Sequence, residues 1–345
     1  MPLNARTLLI FLAVLVIAAV ALLATGSRRG GRTVVVYTSV DAEVALPVFE
    51  RFTKVSGIQV VTRTDSEASK TTGLAERLLQ MKGQPDGDVF WNSELSFTQM
   101  LAREGALQPY VSLNGIEIPE QYKDASGLWT GFGCRARVLI FNTNKVKRDD
   151  VPRTLEGLAD PKWKGRFCIA RSLYGTTRSH LVGLVLALGE EKAFKLFRSW
   201  RDNGLVLAES NSDVRNRVAD GTFDLGLTDS DDAISAKERN KPVDFTVPDQ
   251  TAELTGVFLI PNTVSILKNC PHLAEAKAFV DFLLLPEIEA WLGTMGARQI
   301  PVRDVGVKGA ELSNLNPVKV DAEKLGAQIV PLGDRIDRIL RGEEK

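Results

Sequence analysis

The sequence predicts an α/β protein built in two lobes. Three observations lead there. Short runs rich in β-branched residues alternate with amphipathic helical segments, the pattern of a parallel sheet with crossover helices. Two long β-rich runs, "GFGCRARVLIFNTNKV" from Gly131 and "TGVFLIPNTVSIL" over Thr255–Leu267, interrupt that alternation. The chain has 345 residues, beyond the ~250–300 at which single cores stop growing. Two α/β lobes joined by the two long β segments place a cleft between them.

Val34–Tyr37 reads as a buried strand, and Glu43–Val55 as a helix with Val44, Val48, Phe49 and Phe52 on one face, stopped by Gly57. Ile58–Thr64 gives a second strand and "DSEASKTTGLAERLLQM" opens a second helix. "DGDVFWNSE" supplies a third strand, followed by a helix ending near Gly105. Beyond the first long β run, Lys164–Arg171 is a strand and Gly175–Gly189 a helix, with "EEKAFKLFRSWRDNG" and "NSDVRNRVADG" as further helices. "TFDLGLTDSDDAISAKERN" reads as strand, acidic turn and helix. After the second long β run come two helices divided at Pro286, then a Pro- and Gly-punctuated tail closing in an amphipathic helix near Leu325–Leu340.

Composition narrows the function. Lys+Arg and Asp+Glu both number 43, so the basic excess usual for nucleic-acid binding is missing. Leu8–Ala24 is apolar without a charge, longer than the ~7–15 residues of a secretory h-region and just short of the ~20 of a typical span. Ala24-Thr25-Gly26 offers a cleavage site, while Arg28, Arg29 and Arg32 after the segment oppose export of an uncleaved anchor. The segment is therefore a signal peptide or a membrane anchor, and the body lies outside the cytoplasm. The three cysteines, Cys134, Cys168 and Cys270, form neither a disulfide scaffold nor a zinc spacing; whether Cys134 and Cys168 pair stays open.

The polar turns fall at the C-terminal ends of strands, where open α/β sheets bind ligands and helix N-termini attract anions. "TSVD" brings Ser39 and Asp41, and "SEASKTT" crowds Ser66, Glu67 and Ser69 into one turn. Asn92 follows Trp91, and Thr176 and Thr177 open a helix with His180 one turn in. "TDSDDA" carries three carboxylates, of which one, Asp229 or Asp231, can cap the next helix. The others need a cation: a metal, a ligand amine or an arginine. Arg135 and Arg137 alternate with Cys134, Ala136 and Val138 and so share one side of their strand. Each of these residues has a structural reading as well, as a helix cap or a salt bridge. The motifs of hydrolases, zinc proteases, P-loops and dinucleotide sites are absent, and only two histidines exist, which argues against an enzyme.

In order along the chain, "VVVYTSVD", "SEASKTTGLAERL", "DVFWNSE", "GFGCRARVLIFNTN", "GTTRSH", "GLTDSDDA", "PNTVSILKNCPHLAEAKAFVDFLL" and "GARQIPVR" resemble the extracellular solute-binding proteins of ABC importers. The branch is the ferric-iron-binding-like one, which also holds aminoethylphosphonate- and sugar-phosphate-binding members. The resemblance covers roughly Thr33 to Arg303. It implies a two-lobed periplasmic-binding-protein fold closing on its ligand, a membrane permease as partner, no cofactor, and Fe³⁺ as one candidate cargo. Ferric-binding members hold iron with paired tyrosines at the turn that here reads "TDSDDA"; this sequence has four tyrosines and no adjacent pair.

Together these readings divide the chain into a signal peptide or anchor (1–32), the first part of lobe 1 (33–130), lobe 2 (131–254), and a return to lobe 1 with C-terminal helices (255–345). The expected ligand wall is Ser39, Asp41, Ser66, Glu67, Ser69, Asn92, Arg135, Thr176, Thr177, Asp229 and Asp231, with Glu67, Asp229 and Asp231 as metal ligands. The cargo is ferric iron or a phosphonate- or phosphate-type anion, a zwitterion fitting the residue chemistry equally well. The protein is expected to be a monomer in the periplasm or a comparable extracytoplasmic space. The rival readings are an enzyme on the same scaffold and a tethered ligand sensor.

Overall fold

The computed structural model describes residues 31–64, 70–81, 83–251, 255–295, 299–306, 312 and 315–344. β1 (Thr33–Thr38) sets the pattern of the first lobe. Its Val34 and Val36 enter one apolar layer and Tyr37 the opposite one, as a strand covered on both faces requires. α1 (Ala42–Ser56) lays Val44, Val48, Phe49 and Phe52 on the first layer and ends at Gly57, whose φ of 70° supplies the left-handed cap. β2 (Gln59–Arg63), α2 (Lys70–Gln80), β3 (Val89–Asn92), α3 (Ser96–Arg103) and the two-residue β4 (Leu107–Gln108) follow.

β5 (Thr130–Asn142) is buried along all of its 13 residues. The second lobe then runs β6 (Phe167–Ala170), α4 (Gly175–Leu188), α5 (Glu190–Asp202), β7 (Val206–Ala208), α6 (Asn211–Ala219), β8 (Leu225–Asp229), α7 (Ser230–Glu238) and β9 (Val243–Thr246). β10 (Leu259–Leu267), α8 (Leu273–Leu283), α9 (Pro286–Thr294) and α10 (Ala322–Arg341) complete the chain, α9 starting at the expected proline.

The strands join in the order β2-β1-β3-β10-β5-β8-β6-β7, with β4 on β10 and β9 on β5. β1 is parallel to β2 and β3, and β10 is antiparallel to β3. The first half of β5 pairs with β10 and the second half with β8 and β9. One strand thus belongs to both lobes and forms the floor between them. Its crossing is marked by a register shift at Pro261/Asn262. There Gly133, at φ 47°, lies so close to Gln299 that a Cβ would sit 2.5 Å from its Oε1.

α10 runs behind this floor. Leu325, Ile329, Leu332, Ile336 and Ile339 form its buried face, spaced for one side of a helix. It packs on α3 of the first lobe and on α4 and α5 of the second. The cysteines Cys134 and Cys168 are unpaired. The expected N-terminal signal or anchor helix lies outside the described residues. Among those that are described, no helix is long and apolar enough to cross a membrane.

Candidate functional site: the inter-lobe cleft

Loops from both lobes converge above the second half of β5. Ser39 and Asp41 between β1 and α1, and Ser93 after β3, form the lobe-1 wall. Tyr174 and Gly175–Thr177 at the start of α4, Ser210–Ser212 at α6, and Asp229, Asp231 and Asp232 at α7 form the lobe-2 wall, and Arg135 stands between them. They enclose a cavity of about 100 Å³. A neighbouring cavity of about 200 Å³ shares Asp41, Asp231 and Asp232 and adds Glu43, Arg215 and Arg239. Glu43 on α1 accepts from Arg239 at 2.7 and 2.9 Å across the mouth, so the lobes stand closed upon one another.

Neither α4 nor α7 has a side-chain cap, whereas Ser210 caps α6 through the Asp213 N–H. The expectation that Asp229 or Asp231 caps α7 gives way for a visible reason at Asp229, whose oxygens are already engaged. One accepts from Arg137 at 2.6 Å and the other from Thr176 Oγ1 at 2.7 Å and Asn211 Nδ2 at 3.1 Å. The free N–H groups of α4 therefore face the cleft with a partial positive charge. Similarly, neither Ser39 nor Asp41 caps α1 by its side chain. The Ser39 hydroxyl instead donates to Asn92 Oδ1 at 2.7 Å and accepts from the Ser93 N–H at 2.9 Å.

Both β5 arginines point toward the acidic turn, as their spacing predicts. Arg137, with 1% of its side chain exposed, pairs with Asp229 and also reaches Thr177 Oγ1, Asn211 Oδ1 and the Leu227 carbonyl. Arg135 donates to the Ser93 carbonyl and stands 3.7 Å from Asp229 and 3.5 Å from Asp231. Burial works against its charge, but Asp231, Asp229 and Asp41 outweigh burial and raise its pKa. Burial likewise pushes the Asp229 carboxyl up, yet Arg137 and Arg135 hold it below the usual range. His180, the histidine one turn into α4, is buried beside Arg137, and burial and that charge keep it neutral.

Asp231 and Asp232 behave differently. Burial, followed by the charges of Asp229 and Asp41 and opposed by Arg135, pushes Asp231 up to about 6. Burial and the neighbouring Asp231 and Asp229 push Asp232 up to about 8, although Arg215 lies 3.2 Å away. Oxygens of Asp229, Asp231 and Asp232 lie within 4.8 Å of one another. Such oxygens suit a hard cation, which would replace the protons that repulsion now retains.

Of the expected wall, Ser39, Asp41, Arg135, Thr176, Thr177, Asp229 and Asp231 do meet around the cavity. Asn92 does not, which corrects that expectation. It is fully buried behind Ser39, and its amide donates to the Glu94 carbonyl at 2.7 Å and to the Glu94 carboxylate and Thr98 at 3.1 Å. Ser66, Glu67 and Ser69 lie outside the described residues. The sequence reading left out Ser93, Tyr174, Asn211, Asp232 and Arg215. Tyr174 precedes a glycine at a helix start and Asp232 belongs to the acidic run, so both carried a signal; Arg215, in mid-helix, carried none.

A family model described as bacterial extracellular solute-binding protein matches residues 88–325. The chain belongs to this family. Among its relatives, iron uptake protein A1 of Synechocystis is 28% identical over 300 residues, 82% of this chain and 80% of that protein. Two solved structures share the fold. The Trichodesmium protein IdiA (FutA), in complex with iron and citrate, aligns with a TM-score of 0.74 at 23% identity, over 89% of this chain and 99% of that one. AfuA of Actinobacillus pleuropneumoniae, with fructose-6-phosphate bound, gives 0.75 at 23%, over 91% and 97%. This solute-binding protein is accordingly the extracytoplasmic, substrate-binding component of an ABC transporter. It captures a small solute between its lobes and works with a membrane permease.

Proposed function

We propose that the cargo is ferric iron taken up together with an oxyanion. The supporting observation is the cluster of Asp229, Asp231 and Asp232 within 4.8 Å, in a cleft that also offers Asp41, Tyr174 and the uncapped start of α4. Asp229 is held by Arg137, so the ligand oxygens fall to Asp231 and Asp232, with Tyr174 as the phenol of the wall. Arg135 and the α4 N-terminus would hold the anion, since helix starts and guanidinium groups favour negative charge. One relative is an iron uptake protein, and one solved structure of the same fold holds iron with citrate.

A second reading has its own observation. Asp229, Asp231 and Asp232 each already have an arginine within 4.0 Å: Arg137, Arg135 and Arg215. With no tyrosine pair at the turn, that balance also fits a zwitterion such as an aminoalkylphosphonate, its anion on α4 and its amine on Asp231 and Asp232. In either case the protein binds without converting its cargo, acts as a monomer, and reaches the periplasm through residues 1–32 as a signal or anchor. Lobe 1 then comprises 33–130 and the return from 255, and lobe 2 comprises 131–254.

Thermal unfolding with ferric citrate, 2-aminoethylphosphonate and fructose-6-phosphate, each alone, separates the readings. A ligand at ~100 times its dissociation constant adds roughly 2.7 kcal/mol of stability. Stabilisation by ferric citrate and not by the two phosphorus compounds is the expected outcome; the reverse pattern replaces iron by the phosphonate or phosphate reading.

A further inference from the structure

Glu94 occupies a position that the cargo site does not explain. It is fully buried, and no lysine or arginine pairs with it among the described residues. Five donors converge on its carboxylate instead. Oε2 accepts from the Ser96 N–H at 2.7 Å, the Ser96 hydroxyl, and the Ser179 hydroxyl at 2.6 Å. Oε1 accepts from the Phe97 N–H at 3.0 Å and the Asn92 amide at 3.1 Å. Four of these donors belong to lobe 1, two of them being the first N–H groups of α3. The fifth, Ser179, belongs to α4 of lobe 2, one turn below Gly175.

The carboxylate therefore joins the two walls from behind, as the Glu43–Arg239 pair does at the mouth and Arg135 with the Ser93 carbonyl does on the floor. Toward lobe 1, Asn92 carries the connection to Ser39, which lines the cleft. Toward lobe 2, Ser179 fixes the helix whose first turn presents Gly175, Thr176 and Thr177 to the same cleft. The hydroxyls of Ser96 and Ser179 also lie 2.7 Å apart. Packing does little to back this joint on its far side. Ser179 and Leu95 line a cavity of about 530 Å³ behind the floor, bounded by Phe258–Pro261 and by the chain entering α10. The rest of α4 packs against α10 and α5, so at this point, facing open space, the hydrogen bonds add the direct tie to lobe 1.

We propose that Glu94 is a positioning residue for solute capture: through Ser179 it sets the closed register of the two cleft walls without touching the cargo. The proposal rests on capture between the lobes, as read above, but not on which cargo is captured. A carboxylate suits the role because every partner is a donor; an amide in its place would turn an N–H₂ toward donors.

The test uses Ser179→Ala, which removes the lobe-2 donor and leaves the α3 cap of Glu94 intact, with Ser179→Thr to restore the hydroxyl. Ser265→Ala, which removes a buried hydroxyl bonded within lobe 1 to the Phe90 carbonyl, controls for loss of stability alone. Small-angle X-ray scattering of the cargo-free chain is expected to show a larger radius of gyration for Ser179→Ala than for the parent, the Ser265→Ala control and Ser179→Thr. Stopped-flow release of ferric citrate, or of 2-aminoethylphosphonate if that is what the parent binds, is expected to be on the order of tenfold faster, as loss of a hydrogen bond to a charged group implies. An unchanged radius of gyration overturns the proposal, whatever the cargo proves to be. So does an equal change in Ser265→Ala. If the parent binds neither compound, the iron and zwitterion readings fail while the scattering still decides the role of Glu94.

Discussion

The inner and outer halves of the lobe-2 wall are made of the same residue types and behave in opposite ways. Inside, Arg137 and Asp229 form a closed set with Thr176, Thr177 and Asn211, the ion pair at 2.6 Å and both side chains almost wholly buried. Outside, Asp231 and Asp232 stand partly exposed at 13% and 12%, with arginines at 3.5 and 3.2 Å and with each other's charge unresolved. The inner set holds one carboxyl below its ordinary range, and the outer set lets two rise above it. A buried carboxylate with both oxygens engaged is scaffold. One left with a like-charged neighbour is available to a ligand.

The largest expected effect comes from breaking the inner set. Arg137→Met leaves Asp229 buried without its closest cation, and urea unfolding should show a loss of about 3–5 kcal/mol. A loss below that of an exposed pair would mean that Asp229 is not held as described. Next is the outer set. Replacing Asp231 and Asp232 together by Asn should weaken cargo binding by on the order of a hundredfold or more in calorimetry, each charged contact being worth about 1.5–3 kcal/mol, with the fold retained. Unchanged affinity would reduce the turn to a helix start.

The smallest effect sharpens the same contrast through pH. Asp231 and Asp232, raised to about 6 and about 8, keep protons in the folded chain that the unfolded chain has already released. Folded protein then binds more protons than unfolded, so stability falls as pH rises between about 4 and about 8. Asp249, raised to about 7 by burial and Glu156, adds the same sign from outside the cleft. Asp229 contributes the opposite slope, confined to the acid side of that window. The melting temperature of cargo-free protein should decline across this range and decline less in Asp232→Asn. Equal slopes would show that Asp232 is ionised throughout.

Much of this was legible in the sequence, and the gaps have physical causes. Period-2 and helical patterns located the long strands and the helices, and the one-strand spacing of Arg135 and Arg137 gave their common direction. Parity does not report depth, however, so it could not say that Arg137 is enclosed while Arg135 faces the cavity. Strands as short as β4 and β7 hold too few residues for a periodic signal. Asn92 and Glu94 show a different limit. A polar residue at a strand end reads as a ligand candidate, whereas here each satisfies the other in the interior, and only tertiary contacts reveal such mutual satisfaction.

α10 has a consequence for how the molecule is made. Its apolar face, from Leu325 to Leu340, completes the same core as Phe97 and Leu101 of α3 and Leu181 and Phe194 of the second lobe. Those partners leave the ribosome long before it does. Until α10 has docked, both lobes carry an uncovered apolar strip, so the chain cannot reach its final packing early. The docking of α10, rather than the completion of either lobe, is the moment at which this protein can become native.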